Sequence, residues 1–128
     1  MNIKSIRLIA VVAAMVIGSP AFLSAAEPAK EDNTIALKLF SAIEKSDYEA
    51  FVADGTAPFQ QLKKEQFDGL AAKIAPKLRA GHEVSYLGDL KQNGYHVTLW
   101  KVSFKDGGDD ALATLSVKDG KVGGFFIR

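Results

Sequence analysis

Residues 82–128 decide the fold and read HEVSYLGDLKQNGYHVTLWKVSFKDGGDDALATLSVKDGKVGGFFIR. Three turn signals divide this stretch into four runs rich in Val, Thr, Leu and aromatic residues: Asn93-Gly94, Asp106-Gly107 and Asp119-Gly120. Asn-Gly and Asp-Gly pairs favour tight β-hairpin turns, because these residues tolerate positive φ angles. The pattern predicts a four-stranded antiparallel meander, with strands at about 82–91, 95–105, 110–118 and 121–128.

Helical periodicity marks the first part of the folded chain. A first helix is predicted from apolar side chains at helical spacing: Ile35, Leu39, Phe40 and Ile43. We expect its N-cap at one of three polar residues, Asp32, Asn33 or Thr34. Asp47 can cap a short second helix that stops at Gly55.

A third helix is predicted from about Lys64 to Ala80, after a loop at Thr56-Ala57-Pro58. Pro76 lies inside its apolar pattern and should kink or divide the helix. Gly81 suits the position that follows the last turn. Helices followed by strands predict the α+β class, with N-terminal helices packed on a curved four-stranded antiparallel meander.

The register of the first hairpin decides which side chains face the helices, and two registers are open. A two-residue Asn93-Gly94 turn places on this inner face Glu83, Ser85 and Leu87. A three-residue loop that starts at Gln92 places there a more apolar set: Val84, Tyr86, Gly88 and Leu90. We prefer the second register because it buries the better set, and it puts Asp89 on the outer face.

In that register, one cluster on the inner face forms a candidate ligand-binding site: Tyr86, His96, Thr98 and Trp100, with Phe59 from the helical part. A His exchanges protons near neutral pH, and a Tyr can donate to a developing negative charge. His96 and Tyr86 are therefore the candidate catalytic pair. The sequence places no carboxylate beside His96 to orient it, which weakens a catalytic interpretation.

The outer face of the sheet is also predicted to be apolar, through Val97, Leu99, Leu112, Phe125 and Ile127. A sheet with apolar residues on both faces needs a second cover, and no further helix follows in the sequence. We therefore expect a homodimer that packs the two outer faces together.

Composition excludes several classes of function. The 16 Lys and Arg residues against 15 Asp and Glu provide no basic stripe for nucleic acid, and there is no Cys for disulfides or thiolate sites. His82 and His96 lack metal-ligand spacing, and the acidic loop 106–110 lacks the ligand pattern of a calcium loop. We expect neither a metal nor a cofactor.

The segment 1–26 is predicted to be a secretory signal peptide. It has two early basic residues, an apolar run at 8–17 and small residues at 24–26 before a cleavage site. The alternative is an uncleaved membrane anchor, but Gly18-Ser19-Pro20 interrupts the apolar run. Cleavage leaves a flexible leader at 27–31 and one domain at 32–128, which would be periplasmic or secreted.

The order of helices and strands, with the ending DGKVGGFFI at 119–127, resembles the nuclear transport factor 2-like superfamily. The sequence is similar in particular to a small secreted bacterial branch of unknown function. This resemblance covers most of residues 32–128 and implies a cystatin-like α+β cone, in which a curved sheet surrounds helices and often holds a pocket. Members of the superfamily include isomerases, dehydratases and non-catalytic binding modules.

These observations together predict an exported, non-catalytic module that binds a small apolar ligand or a protein partner. One alternative is a small cavity enzyme of isomerase or hydratase type that uses His96 and Tyr86. Another is a structural dimerisation domain. We expect no nucleic-acid partner and no stable membrane insertion after signal cleavage.

Overall fold

A computed structural model describes residues 27–128, so the predicted signal peptide at 1–26 lies outside the described residues. Along the described chain, four helices precede four strands: α1 Lys30–Glu44, α2 Tyr48–Val52, α3 Ala57–Gln60, α4 Lys64–Arg79, β1 His82–Gln92, β2 Tyr95–Phe104, β3 Ala111–Lys118 and β4 Lys121–Ile127. The strands form one antiparallel sheet in sequence order. The α+β class and the four-stranded meander are confirmed, and each strand begins and ends within one residue of its predicted bounds.

Helix α1 begins earlier than the sequence predicted, inside the expected leader. Ala29 occupies the N-cap position without a side-chain hydrogen bond, so Asp32 stands in the first turn of the helix and not at its cap. A carboxylate is favourable there because the helix N-terminus carries a partial positive charge. The predicted apolar stripe is confirmed by Leu39, Phe40 and Ile43, which are buried.

Two short helices connect α1 to α4. Asp47 caps α2 as predicted, since its side-chain oxygen accepts from the backbone N–H of Ala50 at 3.1 Å. The predicted loop at 56–58 instead begins α3, where the Thr56 hydroxyl accepts from the N–H of Phe59 at 3.4 Å. Pro58 fits this first turn because the N–H that it lacks would be unpaired there.

Helix α4 continues through Pro76, so the proline does not divide it. Gly81 follows the helix with a φ of 115°, which favours glycine as the sequence predicted. The Nδ1 atom of His82 lies 2.9 Å from the carbonyl oxygen of Leu78. Because a carbonyl can only accept, Nδ1 is the donor, and this bond joins the start of β1 to the end of α4.

The prediction of a three-residue loop in the first hairpin is wrong. Asn93 and Gly94 have φ angles of 52° and 81° and form a two-residue turn between β1 and β2. The strict register of that turn pairs Leu90 with Val97, so Leu90 and Gly88 lie on the outer face and not on the predicted inner one.

A bulge at Leu87 then changes the register of β1. On the near side of the bulge Asp89 opposes Thr98, and on the far side Tyr86 opposes Trp100. The two-residue turn places Asp89 on the inner face, whereas the sequence predicted the outer face. The extra residue at Leu87 then returns Tyr86 to the inner face, as predicted. Both alternative registers are thus partly realised, one on each side of Leu87.

A second bulge, at Gly123, reverses the faces of the last residues of β4. A Cβ atom at Gly123 would lie 2.4 Å from Cε1 of Tyr95, so only glycine permits this close approach. Beyond the bulge, Phe125 and Ile127 lie on the inner face, so their predicted place on the outer face is wrong. Phe126 takes the outer position and is 65% exposed.

The hydrophobic core lies between the inner face of the sheet and the helices. Trp100, which the sequence predicts on the inner face, is buried in it together with Val102. A six-residue loop at 105–110 predicts that Trp100 opposes Leu115, whereas in the structure it opposes Ala113, two residues away. A shift of two leaves every side chain on its own face, which is why the core prediction survived the error.

Candidate functional site

The five predicted ligand-binding residues do not come together around one cavity. Thr98 and Trp100 are buried, and the indole N–H of Trp100 donates to the Thr98 hydroxyl at 2.8 Å. The ring of Tyr86 packs edge-to-face on Trp100, with the centroids 5.2 Å apart. These three side chains form part of the packed interior, while Phe59 and His96 lie in two other places described below.

His96 lies between two carboxylates, neither of which the sequence analysis placed beside it. Its Nδ1 is 3.0 Å from a carboxylate oxygen of Asp32, and its Nε2 is 2.6 Å from one of Asp89. Asp32 comes from the first turn of α1, Asp89 from β1 and His96 from β2. The cluster therefore joins the helical layer to the sheet.

The two carboxylates stabilise the charged imidazolium form of His96. The hydrogen bond to Asp89 is the main cause that raises the pKa of His96 above its ordinary 6.5, and the charge of Asp32 acts in the same direction against desolvation. Burial, with a smaller contribution from the same two carboxylates, raises the pKa of the nearby Tyr86 phenol.

The two carboxylate contacts of His96 indicate a structural role for its side chain. An imidazolium has two N–H donors, and here each has a carboxylate acceptor. No ring nitrogen then offers a free lone pair to a substrate. The side chain of Asp32 is only 6% exposed, so His96 also neutralises a charge that would otherwise be buried alone.

Only the Asp89–His96 part of this cluster could be predicted from the sequence. In the two-residue register, Asp89 and His96 are diagonal neighbours on one face, within reach of each other. That register was set aside because it buried fewer apolar residues. For Asp32, an acidic residue near a helix start fits an N-cap equally well, and nothing local identifies its partner on β2.

An open apolar groove lies between β4 and helices α3 and α4. Its volume is about 520 Å³. The helical wall consists of apolar side chains with Gln61 and Gln66 among them: Pro58, Phe59, Leu62, Phe67 and Leu70. Five consecutive residues of β4, 123–127, form the opposite wall. Phe59 is the predicted ligand-binding residue that lines this groove, and no charged side chain does.

A cluster of aromatic rings forms the floor of the groove. The ring of Phe51 lies 5.0 Å from that of Phe67, 5.4 Å from Phe59 and 6.0 Å from Phe125. The Tyr48 hydroxyl donates to the carbonyl of Leu62 at 2.5 Å, which attaches the segment between α3 and α4 to α2. The groove is therefore bordered by packed elements.

The outer face of the sheet carries three of the five predicted dimer residues. Leu99 and Leu112 lie there half-buried, and Val97 lies beside them. Phe125 and Ile127 have left this face because of the bulge at Gly123. Phe126 and Leu90 replace them as exposed apolar side chains.

Comparisons and searches of the described residues add few constraints. Within residues 27–128, no group of three or more His, Cys, Asp or Glu side chains is arranged to hold a metal ion. No helix in this part of the chain is both long and apolar enough to cross a membrane. In sequence comparisons, no protein-family model matches the chain, and no curated protein matches it. The groove and the His96 cluster are therefore the features that bear on function.

Proposed function

We propose that the protein is a non-catalytic binding module that takes an apolar ligand into the groove between β4 and helices α3 and α4. The supporting observation is the groove itself, with a volume of about 520 Å³ and a lining without charged residues. Binding sites for small organic molecules measure about 300–1,000 Å³ and are mainly apolar, with a few polar groups that fix orientation. Gln61 and Gln66 supply such groups here.

A cavity enzyme that uses His96 and Tyr86 is the weaker candidate. Both ring nitrogens of His96 already have carboxylate partners, and the Tyr86 ring packs on Trp100. Neither residue lines the groove. Acid–base catalysis needs a group whose free ring nitrogen or hydroxyl reaches the substrate, and the contacts of these two side chains do not favour this.

The resemblance to the nuclear transport factor 2-like superfamily agrees with this proposal. The residues that carry it, 119–127, include the β4 wall of the groove. Members of that superfamily bind ligands between a curved sheet and its helices. A cone-shaped curvature of the sheet and export to the periplasm or the cell exterior belong to the same proposal.

Filling the groove tests the proposal. Leu70 lies half-buried in the helical wall, and Leu70→Trp would place a large ring in the space for the ligand. We expect the affinity for the uncharged apolar dye Nile red to fall at least about tenfold, because the dye needs the same volume. A fluorescence titration measures this. Leu37→Trp is the matched control, since Leu37 is 48% exposed on α1 and does not line the groove.

Equal dye affinity in the two variants would place the dye elsewhere and contradict the proposal. The natural ligand would be identified by mass spectrometry of small molecules released from protein purified from the periplasm. The intact mass of the same purified protein would determine whether the chain begins at Glu27, as cleavage of a signal peptide requires.

We also propose that two copies associate through the outer faces of their sheets. The accessible apolar side chains of that face support this: Leu99 and Leu112, which are half-buried, and Phe126, which is 65% exposed. Leu112→Lys should convert the dimer to monomers in size-exclusion chromatography with light scattering, because it places two charges across the contact. Leu37→Lys, on α1, should leave the dimer intact. A wild-type protein that stays monomeric at high concentration would refute the association.

A further inference from the structure

One edge of β4 faces the groove, and no strand within residues 27–128 pairs with it along most of its length. Leu112 and Arg128 exchange two backbone hydrogen bonds, of 2.9 and 3.0 Å, between β3 and the end of β4. Residues of an antiparallel strand alternate in direction, so the N–H and C=O groups of Phe125 and Ile127 point away from β3. No described residue forms a hydrogen bond with these four groups.

In the described part of the chain, this edge is paired only where β4 begins. The N–H of Val122 donates to the carbonyl of Asp54 at 2.9 Å, and the carbonyl of Val122 accepts from Thr56 at 2.8 Å. Gly55 thereby forms a single parallel bridge to β4. The segment then leaves the sheet at Pro58 and enters α3, which leaves room for a fifth strand beside the rest of β4.

We propose that the ligand of the groove is an extended apolar peptide segment that adds to β4 as a fifth strand, an inference that rests on the proposed function. In strand addition, main-chain hydrogen bonds provide affinity, and pockets for alternate side chains provide specificity. A strand at the usual spacing of about 4.8 Å would turn every second side chain toward the half-buried apolar wall at Phe59, Leu62 and Leu70. The side chains between them would lie beside exposed Phe126.

The edge favours a peptide over a lipid or another hydrocarbon. Phe125 and Ile127 present donors and acceptors about 7 Å apart along the strand, a spacing that a peptide backbone repeats and a hydrocarbon cannot satisfy. Among the described residues, no cation lines the groove to hold an acidic head group. Edge strands are usually protected by charges, proline or a bulge. The bulge at Gly123 lies near the start of β4, and residues 124–127 beyond it contain no charge and no proline.

The first test uses a phage-displayed library of random eight-residue peptides, selected on the purified full protein. We expect enriched sequences with apolar residues at alternate positions. One enriched peptide is then synthesised with its odd amides N-methylated, and again with its even amides N-methylated. Each form keeps all side chains but blocks one edge of the peptide. In fluorescence anisotropy, one form should bind at least about tenfold more weakly than the other.

The second test changes the edge of the protein. Ile127→Pro removes the N–H that points into the groove, which an edge strand tolerates because the bonds to β3 remain. Ile127→Ala is the matched control, since it shortens the side chain and keeps the N–H. The proline variant should bind the peptide at least about tenfold more weakly than the alanine variant, because the two variants differ in the N–H that faces the groove. If the proline variant unfolds, hydrogen exchange of wild-type Phe125 and Ile127 amides decides, and the peptide should slow it.

The outcomes separate this inference from the proposed function. Dye binding without any enriched peptide, or equal affinity of the two methylated forms, would overturn strand addition and leave an apolar groove that binds small molecules. Loss of dye binding to the groove as well would overturn the proposed function. Slow hydrogen exchange of the Phe125 and Ile127 amides in a dimer without peptide would show that a second copy of this chain covers the edge, and it would overturn the peptide proposal.

Discussion

Replacing Phe125 with lysine should unfold the domain, whereas the same replacement at Phe126 should leave it folded. Phe125 is 6% exposed, and its ring lies 5.3 Å from that of Phe40 and 6.0 Å from that of Phe51. Loss of a buried aromatic side chain costs about 3–5 kcal/mol, and an unpaired buried ammonium adds to this. Domains are stable by only about 5–15 kcal/mol, so little or no stability would remain.

The neighbouring position provides the matched control. Phe126 is 65% exposed on the outer face, and substitutions at such sites change the free energy of unfolding by about 0.5 kcal/mol or less. Urea denaturation followed by circular dichroism measures both variants, at a concentration low enough to avoid association. Without the bulge at Gly123 the two phenylalanines would exchange faces. A less stable Phe126→Lys variant would therefore contradict the register of β4 described here.

The strand boundaries could be predicted from the sequence because their signals are local. Asn93-Gly94 and Asp119-Gly120 form turns through their own backbone preferences, whatever surrounds them. The bulges depend on distant partners. Gly123 is required because a ring from β2 crosses it, and that contact joins residues on two strands that are not neighbours. A turn dipeptide contains no information of this kind.

The groove and the His96 cluster show the same limit in different ways. Thr56, two residues before Pro58, is typical of a helix N-cap, so the start of α3 could have been predicted. The groove beside it could not, because a groove is the space left between elements and no local pattern encodes it. The partners of His96 required both the correct hairpin register and the position of α1 over the sheet.

Replacing His96 with leucine should lower the free energy of unfolding, because it leaves the Asp32 carboxylate buried without a partner. The side chain of Asp32 is 6% exposed, and His96 Nδ1 at 3.0 Å is its closest ionic contact. Breaking a fully buried ion pair costs about 3–5 kcal/mol. His96 is 36% exposed, so water can partly replace it. We therefore expect a loss of about 1–3 kcal/mol.

A double-mutant cycle separates this cause from lost packing. Asp32→Asn removes the charge that needs neutralising, so it should recover much of the stability lost in the His96→Leu background. Asp89 is 51% exposed, and Asp89→Asn should cost less than His96→Leu because water solvates that carboxylate already. Additive effects of the Asp32 and His96 changes would show that the two side chains do not interact.

The pH dependence gives an independent measure of the same contact. His96 has a pKa raised above 6.5 in the folded protein, so below 6.5 it is protonated in both states and its full contribution to stability is present. As the pH rises from 6.5 through the folded pKa, this contribution is lost, because the folded state binds a proton that the unfolded chain has released. Asp89→Asn should narrow this window, since the Asp89 hydrogen bond is the main cause of the shift. Urea denaturation from pH 5 to 9 should therefore show a decline in wild type that His96→Leu lacks, and a decline of equal size in that variant would attribute it to another group.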